Sequence, residues 1–200
     1  MKSYPSIPKF LGSSTLLHTF DKIDGSNLRF EWSKKRGWYK FGTRTRLFDE
    51  SDEQFKEAIP LFNNTLSEPL GKICHDNRWD KVVVFAEFWG ENSFAGCHES
   101  NDIKNLTLID VSIHRKGILP PRDFLKIFGD YGPKYLGEYR WNKEFIDKVK
   151  HNNIPHITFE GVVGKRSDKN IIVMYKAKTQ QWIDKVRERF SEIADEIINS

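Results

Sequence analysis

Along residues 27–32, Leu28, Phe30 and Trp32 alternate with Asn27, Arg29 and Glu31. That period belongs to a strand with one buried face. The apolar-alternating run "TLLHTF" (15–20) precedes it. A polar turn with a glycine, "SKKRGW", follows, and an extended pattern resumes from Trp38 to Phe41, so a β-hairpin is expected. "SDEQFKEAI" opens on Ser51 as an N-cap with acids in the first turn, which predicts a helix from that point. "KVVVFAEFW" (81–89) is a continuous apolar run of strand length, and "LTLIDVSI" (106–113) is another. "PPRDFLKIFG" begins in prolines and ends at Gly129, as a short helix should. "NKEFIDKVK" reads as a second short helix. "HITFEGVVGK" and "IIVMYKAK" read as strands flanking the polar turn "RSDKN". From Thr179 onward Trp182, Val186, Phe190, Ile193 and Ile197 fall on one helical face, predicting a closing helix over about 180–198.

These elements add up to an α+β fold of mostly antiparallel sheets flanked by helices. No internal repeat or low-complexity segment interrupts them, and no shift in composition marks a linker, so residues 1–200 are expected to form a single domain. With 38% apolar and 14% aromatic residues the chain is globular and not disordered. No apolar run approaches the roughly 20 residues of a membrane span. "MKSYPSIPKF" lacks the apolar core of a secretion signal. Cys74 and Cys97 are isolated, which suggests a reducing compartment, and a cytoplasmic protein is expected. The six histidines show no ligand spacing, so no zinc site is expected. A net charge of +4 permits an anionic partner without requiring one.

The chemistry is carried by charged residues that interrupt apolar strands. "KIDG" at 22–25, taken alone, reads as a capped turn as readily as a site, and the same holds for "EFWG" (87–90), "EGVVGK" (160–165) and "YKAK" (175–178). Lys176 and Lys178 are two apart, so on a strand both face one side. Two ammonium groups on one face repel unless an anion lies between them. A phosphate chain would supply that anion.

In this order the four stretches resemble the motifs of the covalent nucleotidyltransferase superfamily of DNA ligases, RNA ligases and mRNA capping enzymes. Lys22-Ile23-Asp24-Gly25 matches the KxDG motif, and Glu87 matches the acid of the third motif. Asp110, in "LTLID", matches the strand that ends in an aspartate. Glu160 to Lys165 matches EGxVxK, and Lys176-Ala177-Lys178 matches KxK. Arg44 in "FGTRTRL" matches the arginine that follows the first motif in ligases, with Arg46 a nearby competitor. Within the superfamily the chain is similar to the RNA ligase branch, especially phage-type RNA ligase 2 enzymes. Asn27, two places after the glycine, and "KTQQW" after the last motif point that way. Only 22 residues follow Lys178, too few for the OB fold of about 70 residues that follows in DNA ligases and capping enzymes. The resemblance thus implies the ATP-grasp-like nucleotidyltransferase domain of ligases with no OB-fold domain, and a partner protein as a possible source of a missing C-terminal domain.

The resemblance also implies a reaction. Lys22 would attack the α-phosphate of ATP, release pyrophosphate and carry AMP as a phosphoramidate. The adenylate would pass to a 5′-phosphate, and a 3′-hydroxyl would displace AMP. An ordinary lysine is protonated at neutral pH, so Lys176, Lys178 and Arg44 would have to disfavour the Lys22 ammonium. Mg²⁺ or Mn²⁺ would accompany the triphosphate, with Glu160 and Glu87 as its carboxylates. Lys178, Lys176 and Glu160 join Lys22 as the implied catalytic set. Asp24, Asn27, Arg44, Glu87 and Lys165 are implied to bind the nucleotide.

Two departures and one open surface complete the reading. The family commonly stacks an aromatic on adenine four residues before Asp110, where this chain has Leu106, so stacking there would be apolar or fall to another aromatic. Ala86 stands where a glycine often precedes the third-motif glutamate. "SKKRGWYK" interleaves Lys34, Lys35, Arg36 and Lys40 with Trp38 and Tyr39, which suits RNA phosphates and stacked bases as well as a solvated hairpin tip. The expected substrate is RNA, as a nicked duplex or as ends. A DNA or mixed-substrate ligase, or a catalytically silent nucleic-acid-binding relative, are the alternatives.

Overall fold

The computed structural model of the chain describes residues 3–91, 97–169 and 171–199. In chain order the elements are β1 (Thr15–Lys22), β2 (Ser26–Ser33), β3 (Gly37–Gly42), β4 (Leu47–Phe48), α1 (Ala58–Thr65), α2 (Ser67–Asp76), β5 (Lys81–Trp89), β6 (Asn105–Ile113), β7 (Gly117–Ile118), α3 (Pro121–Phe128), β8 (Tyr135–Trp141), α4 (Lys143–Lys150), β9 (Gly161–Asp168), β10 (Ile171–Lys178), α5 (Gln180–Arg189) and α6 (Ala194–Asn199). The fold is α+β, with two antiparallel sheets flanked by helices.

The backbone divides into two compact units where composition gives no sign of a boundary. One comprises Met1–Tyr4 and Gly25–Gly132, the other Pro5–Asp24 and Pro133–Ser200.

The first unit holds a six-stranded sheet in the order β4-β3-β2-β5-β6-β7. Cross-strand partners share a face, and the register sorts the side chains cleanly. Leu28, Phe30 and Trp32 oppose Ala86, Val84 and Val82, which in turn oppose Leu108, Val111 and Ile113. This apolar face packs on the helices: the rings of Phe30 and Phe62 of α1 stack at 4.0 Å. The other face carries Asn27, Arg29, Glu31, Phe85, Glu87, Thr107 and Asp110.

The second unit holds a four-stranded sheet in the order β10-β9-β1-β8. Leu17, Val162 and Ala177 point to one side, into a core with Trp141, Phe145, Val149, Ile154 and Ile157. α4 belongs to that core, and its N-cap is Asn142, whose side chain accepts from the Phe145 N–H at 2.8 Å.

Four expectations differ from the chain's structure. The helix expected from Ser51 begins at Ala58. Ser51 instead donates to Asp49 through its backbone and hydroxyl, and Asp52 accepts from the Gln54 and Phe55 N–H groups at 3.0 Å, so side-chain turns consume the capping groups first. The closing helix over 180–198 is two helices, α5 and α6, with the first ended by Phe190 at φ −128°, ψ 39°. β9 starts at Gly161 and not at His156, and runs through Arg166 to Asp168, so most of the "RSDKN" turn is strand. Asn170, the last residue of that turn, lies outside the described residues. β8 and α2 have no counterpart in the sequence reading.

Candidate active site

Three strand ends meet at one residue in the second unit. Gly161 opens β9 and is the cross-strand partner of Lys22 on one side and of Lys178 on the other. It adopts φ +144°, and a Cβ there would lie 2.1 Å from the Ala177 carbonyl oxygen. Only glycine fits.

Glu160, just before the strand, is 3% exposed and lies between the two lysines. Lys22 Nζ donates to its Oε2 at 2.7 Å, and Lys178 Nζ sits 3.2 Å from its Oε1. One carboxylate thus holds two ammonium groups that would otherwise repel.

The same register explains the remaining lysines. Phe20 pairs with Val163 and His18 with Lys165; Val163 pairs with Lys176 and Lys165 with Met174. Lys22, Lys165, Lys176 and Lys178 therefore share one face of the sheet, opposite the apolar core. Lys176 is 3% exposed, and its pKa is pushed down to about 8 by burial first, then by the charges of Lys178 and Lys22. Burial also lowers the pKa of Lys178, opposed by Glu160. Lys165 is buried, its Nζ 5.0 Å from the centre of the Phe20 ring. Asp24 is buried and adds to the field that Lys178 feels.

The "KTQQW" segment builds the seat of Lys178. Thr179 caps α5 by accepting from the Trp182 N–H at 3.1 Å, and its hydroxyl donates to the Phe159 carbonyl at 2.7 Å. Its own N–H donates to the Glu160 carbonyl at 2.9 Å. The cap fixes the first helical turn so that the Trp182 ring lies 3.9 Å from Lys178 Nζ, a cation–π contact. Ile197 of α6 contributes a carbonyl oxygen 3.3 Å from the same nitrogen.

In the first unit Asn27 and Glu87 are cross-strand partners on the polar face. The Asn27 Nδ2 is buried with no hydrogen-bond partner among the described residues. Tyr4, which the sequence reading passed over, donates its hydroxyl to Asp110 Oδ2 at 2.5 Å and packs its ring 5.0 Å from that of Phe85. Its pKa is raised well above the usual value by burial first, then by Asp110 and Glu87, with Arg44 opposing. Arg44, Glu87 and Asp110 therefore lie within electrostatic reach of one hydroxyl. The guanidinium of Arg46, the alternative to Arg44, binds Asp52 and Gln54 on its own loop. A tyrosine 106 residues from its acceptor leaves no local trace in the sequence. Arg29 is 2% exposed, a buried arginine that strand alternation alone assigns to an open face.

Two groups stand apart from the Asn27–Glu87 pair. Leu106 opposes Phe88 and is buried on the apolar face, so the strand turns it away from Glu87. Lys34, Lys35 and Arg36 form the turn beyond Ser33, about 20 Å along β2 from Asn27 at the usual rise per residue. There Arg36 lies 4.5 Å and Lys40 5.8 Å from the Tyr39 ring centre, and the Tyr39 hydroxyl donates to Glu31.

Among the described residues no group of three or more His, Cys, Asp or Glu side chains is placed to hold a metal ion. No helix among them is long and apolar enough to cross a membrane.

No protein-family model matches the chain, and no curated protein matches its sequence. Solved structures do match. An archaeal ATP-dependent RNA ligase superposes with a TM-score of 0.69 at 15% identity, over 96% of this chain and 52% of that one. A variant of Naegleria gruberi RNA ligase with ATP and Mn gives 0.59 at 15% identity, over 85% and 51%. The Naegleria gruberi RNA ligase with PPi gives 0.60 at 14% identity, over 87% and 52%. The chain thus spans about half the length of the ligases it matches. At this level of identity the likeness is one of fold: the chain shares the fold of about half of each of these RNA ligases.

Proposed function

We propose that this chain is the nucleotidyl-transfer domain of an ATP-dependent RNA ligase that works through a lysyl-AMP. The observation that carries the reading is the Glu160 carboxylate held between Lys22 and Lys178 at the junction of three strands.

The Lys22 nitrogen attacks the α-phosphate of ATP; the N–P bond forms and the bond to pyrophosphate breaks. Lys22 first gives up a proton, and Glu160 at 2.7 Å is in position to take it. Lys178 and Lys176 meet the charge that builds on the phosphoryl oxygens. Lys165 extends the cationic face toward the leaving phosphates. In the second step the AMP passes to a 5′-phosphate of RNA, and in the third a 3′-hydroxyl displaces AMP and closes the phosphodiester.

Asn27 offers its buried amide, and Glu87 its carboxylate, to the ribose. Arg44 holds a ribose or phosphate oxygen, and Asp24 steadies the nucleotide or strand end. Glu160 and Glu87 are the carboxylates that would hold a divalent ion, Mg²⁺ or Mn²⁺, and that ion would supply positive charge against the triphosphate. Lys34, Lys35, Arg36 and Lys40 give RNA a basic, aromatic-lined hairpin outside the nucleotide cluster.

Incubation with α-labelled ATP and Mg²⁺ tests the reading. Label that stays on the wild-type chain and is absent from Lys22→Ala supports it; a wild-type chain that takes no label in Mg²⁺ or Mn²⁺ refutes the covalent mechanism.

A further inference from the structure

We propose that the Trp89 indole is the stacking platform for the nucleobase of the nucleotide substrate, an inference that rests on the reading above. Trp89 ends β5, two residues beyond Glu87, so the two side chains share the polar face of the first unit's sheet. Two residues of strand span about 7 Å. A nucleoside held at Glu87 by its ribose is long enough for its base to reach the ring.

Three observations single out this ring. First, Trp89 is half-buried, with surface left for a ligand, whereas Phe85, the other aromatic on this face of β5, is fully buried against Tyr4. Second, its only polar group is already used: Nε1 donates to Thr107 Oγ1 at 2.9 Å. Thr107 is itself the cross-strand partner of Glu87. The bond fixes the ring's orientation and leaves the π surface as what it offers. His98 flanks the indole at 6.1 Å between ring centres, with its Nδ1 engaged by Asp102 at 3.2 Å. Third, the register turns Leu106 to the opposite face and leaves Trp89 on the face of Glu87.

Stacking recognises any base by its π face and ignores the phosphates. The test therefore compares a ligand that has a base with one that has none. ATP and inorganic tripolyphosphate are titrated by calorimetry against the full chain carrying Lys22→Ala, which blocks covalent chemistry, with and without Trp89→Ala. The expected result is a loss of about 10-fold in ATP affinity, the scale of one base–aromatic contact. Tripolyphosphate binding stays unchanged, and Trp89→Phe restores most of the ATP affinity. Equal loss for both ligands marks a structural role and overturns the proposal, as does an unchanged ATP affinity. If Trp89→Ala does not fold, Trp89→Leu and Trp89→Phe decide: stacking requires Phe to bind ATP more tightly than Leu, with equal tripolyphosphate binding. Because these are binding measurements, a wild-type chain that takes no label from ATP refutes the ligase reading without deciding this one.

Discussion

Lys22 Nζ donates to Glu160 Oε2 at 2.7 Å, and the other oxygen of that carboxylate lies 3.2 Å from Lys178 Nζ. The pairing is largely buried, with side-chain exposures of 20%, 4% and 5% for Lys22, Glu160 and Lys178. Removing the carboxylate leaves two poorly solvated ammonium groups facing each other. Glu160→Ala is expected to lose about 3 kcal/mol of stability in urea unfolding, the scale for breaking a buried ion pair. Pyrophosphate added to millimolar concentration should recover part of it, because an anion can take the carboxylate's place. A variant as stable as wild type would mean that the bridge contributes nothing net.

Gly161 is the hinge of that arrangement. Its φ of +144° and the 2.1 Å approach to the Ala177 carbonyl leave no room for a methyl group. Gly161→Ala is expected to cost more than about 1 kcal/mol in thermal or urea unfolding and to slow self-adenylation. The same substitution at Gly37, whose φ is +64° but which has open space around it, should leave adenylation intact.

Lys176 gives a pH signature. Its pKa falls from 10.5 unfolded to about 8 folded, so between those values the unfolded chain binds the extra proton. Stability from this group is therefore lowest below pH 8 and rises as pH climbs from about 8 toward 10.5. Phosphate binding runs the other way: an anion favours the ammonium and is held best below about pH 8. Pyrophosphate affinity measured by calorimetry should weaken above that pH in the wild type and lose this dependence in Lys176→Met.

Tyr4→Phe isolates one hydrogen bond. It keeps the ring against Phe85 and deletes the hydroxyl that Asp110 accepts at 2.5 Å. Leaving that buried carboxylate short of a donor should cost about 2 kcal/mol in unfolding free energy. No loss would show that another group satisfies Asp110.

α6 supplies two acceptors to cationic side chains: the Ile197 carbonyl to Lys178, and the Asn199 side chain to Lys9 at 2.8 Å. Deletion of residues 194–200 should change pyrophosphate affinity. A gain identifies α6 as a competitor for the phosphates, a loss identifies it as a support for Lys178, and no change shows that its two contacts are incidental.

Strand alternation, proline and glycine punctuation and the order of charged interruptions are local properties. They were enough to place β2, β3, β5, β6, β10, α3 and α4, and to mark Lys22, Glu87, Glu160, Lys176 and Lys178 as residues of interest. The sequence could also show that Lys176 and Lys178 share a face, since that needs only the two-residue period of a strand. Where local rules competed, they misled: Ser51 has the chemistry of an N-cap, but Asp49 and Asp52 take the turn first. The rest depends on register, which no single strand encodes. Register turns Leu106 from Glu87 to the apolar core and brings Trp89 and Thr107 to Glu87's side. It sets four lysines on one face and puts Gly161 between two of them. Tyr4 on Asp110, and Glu160 between lysines on two other strands, are pairings across more than a hundred residues or between neighbouring strands. They exist because the sheets align those positions, so only the tertiary structure decided them.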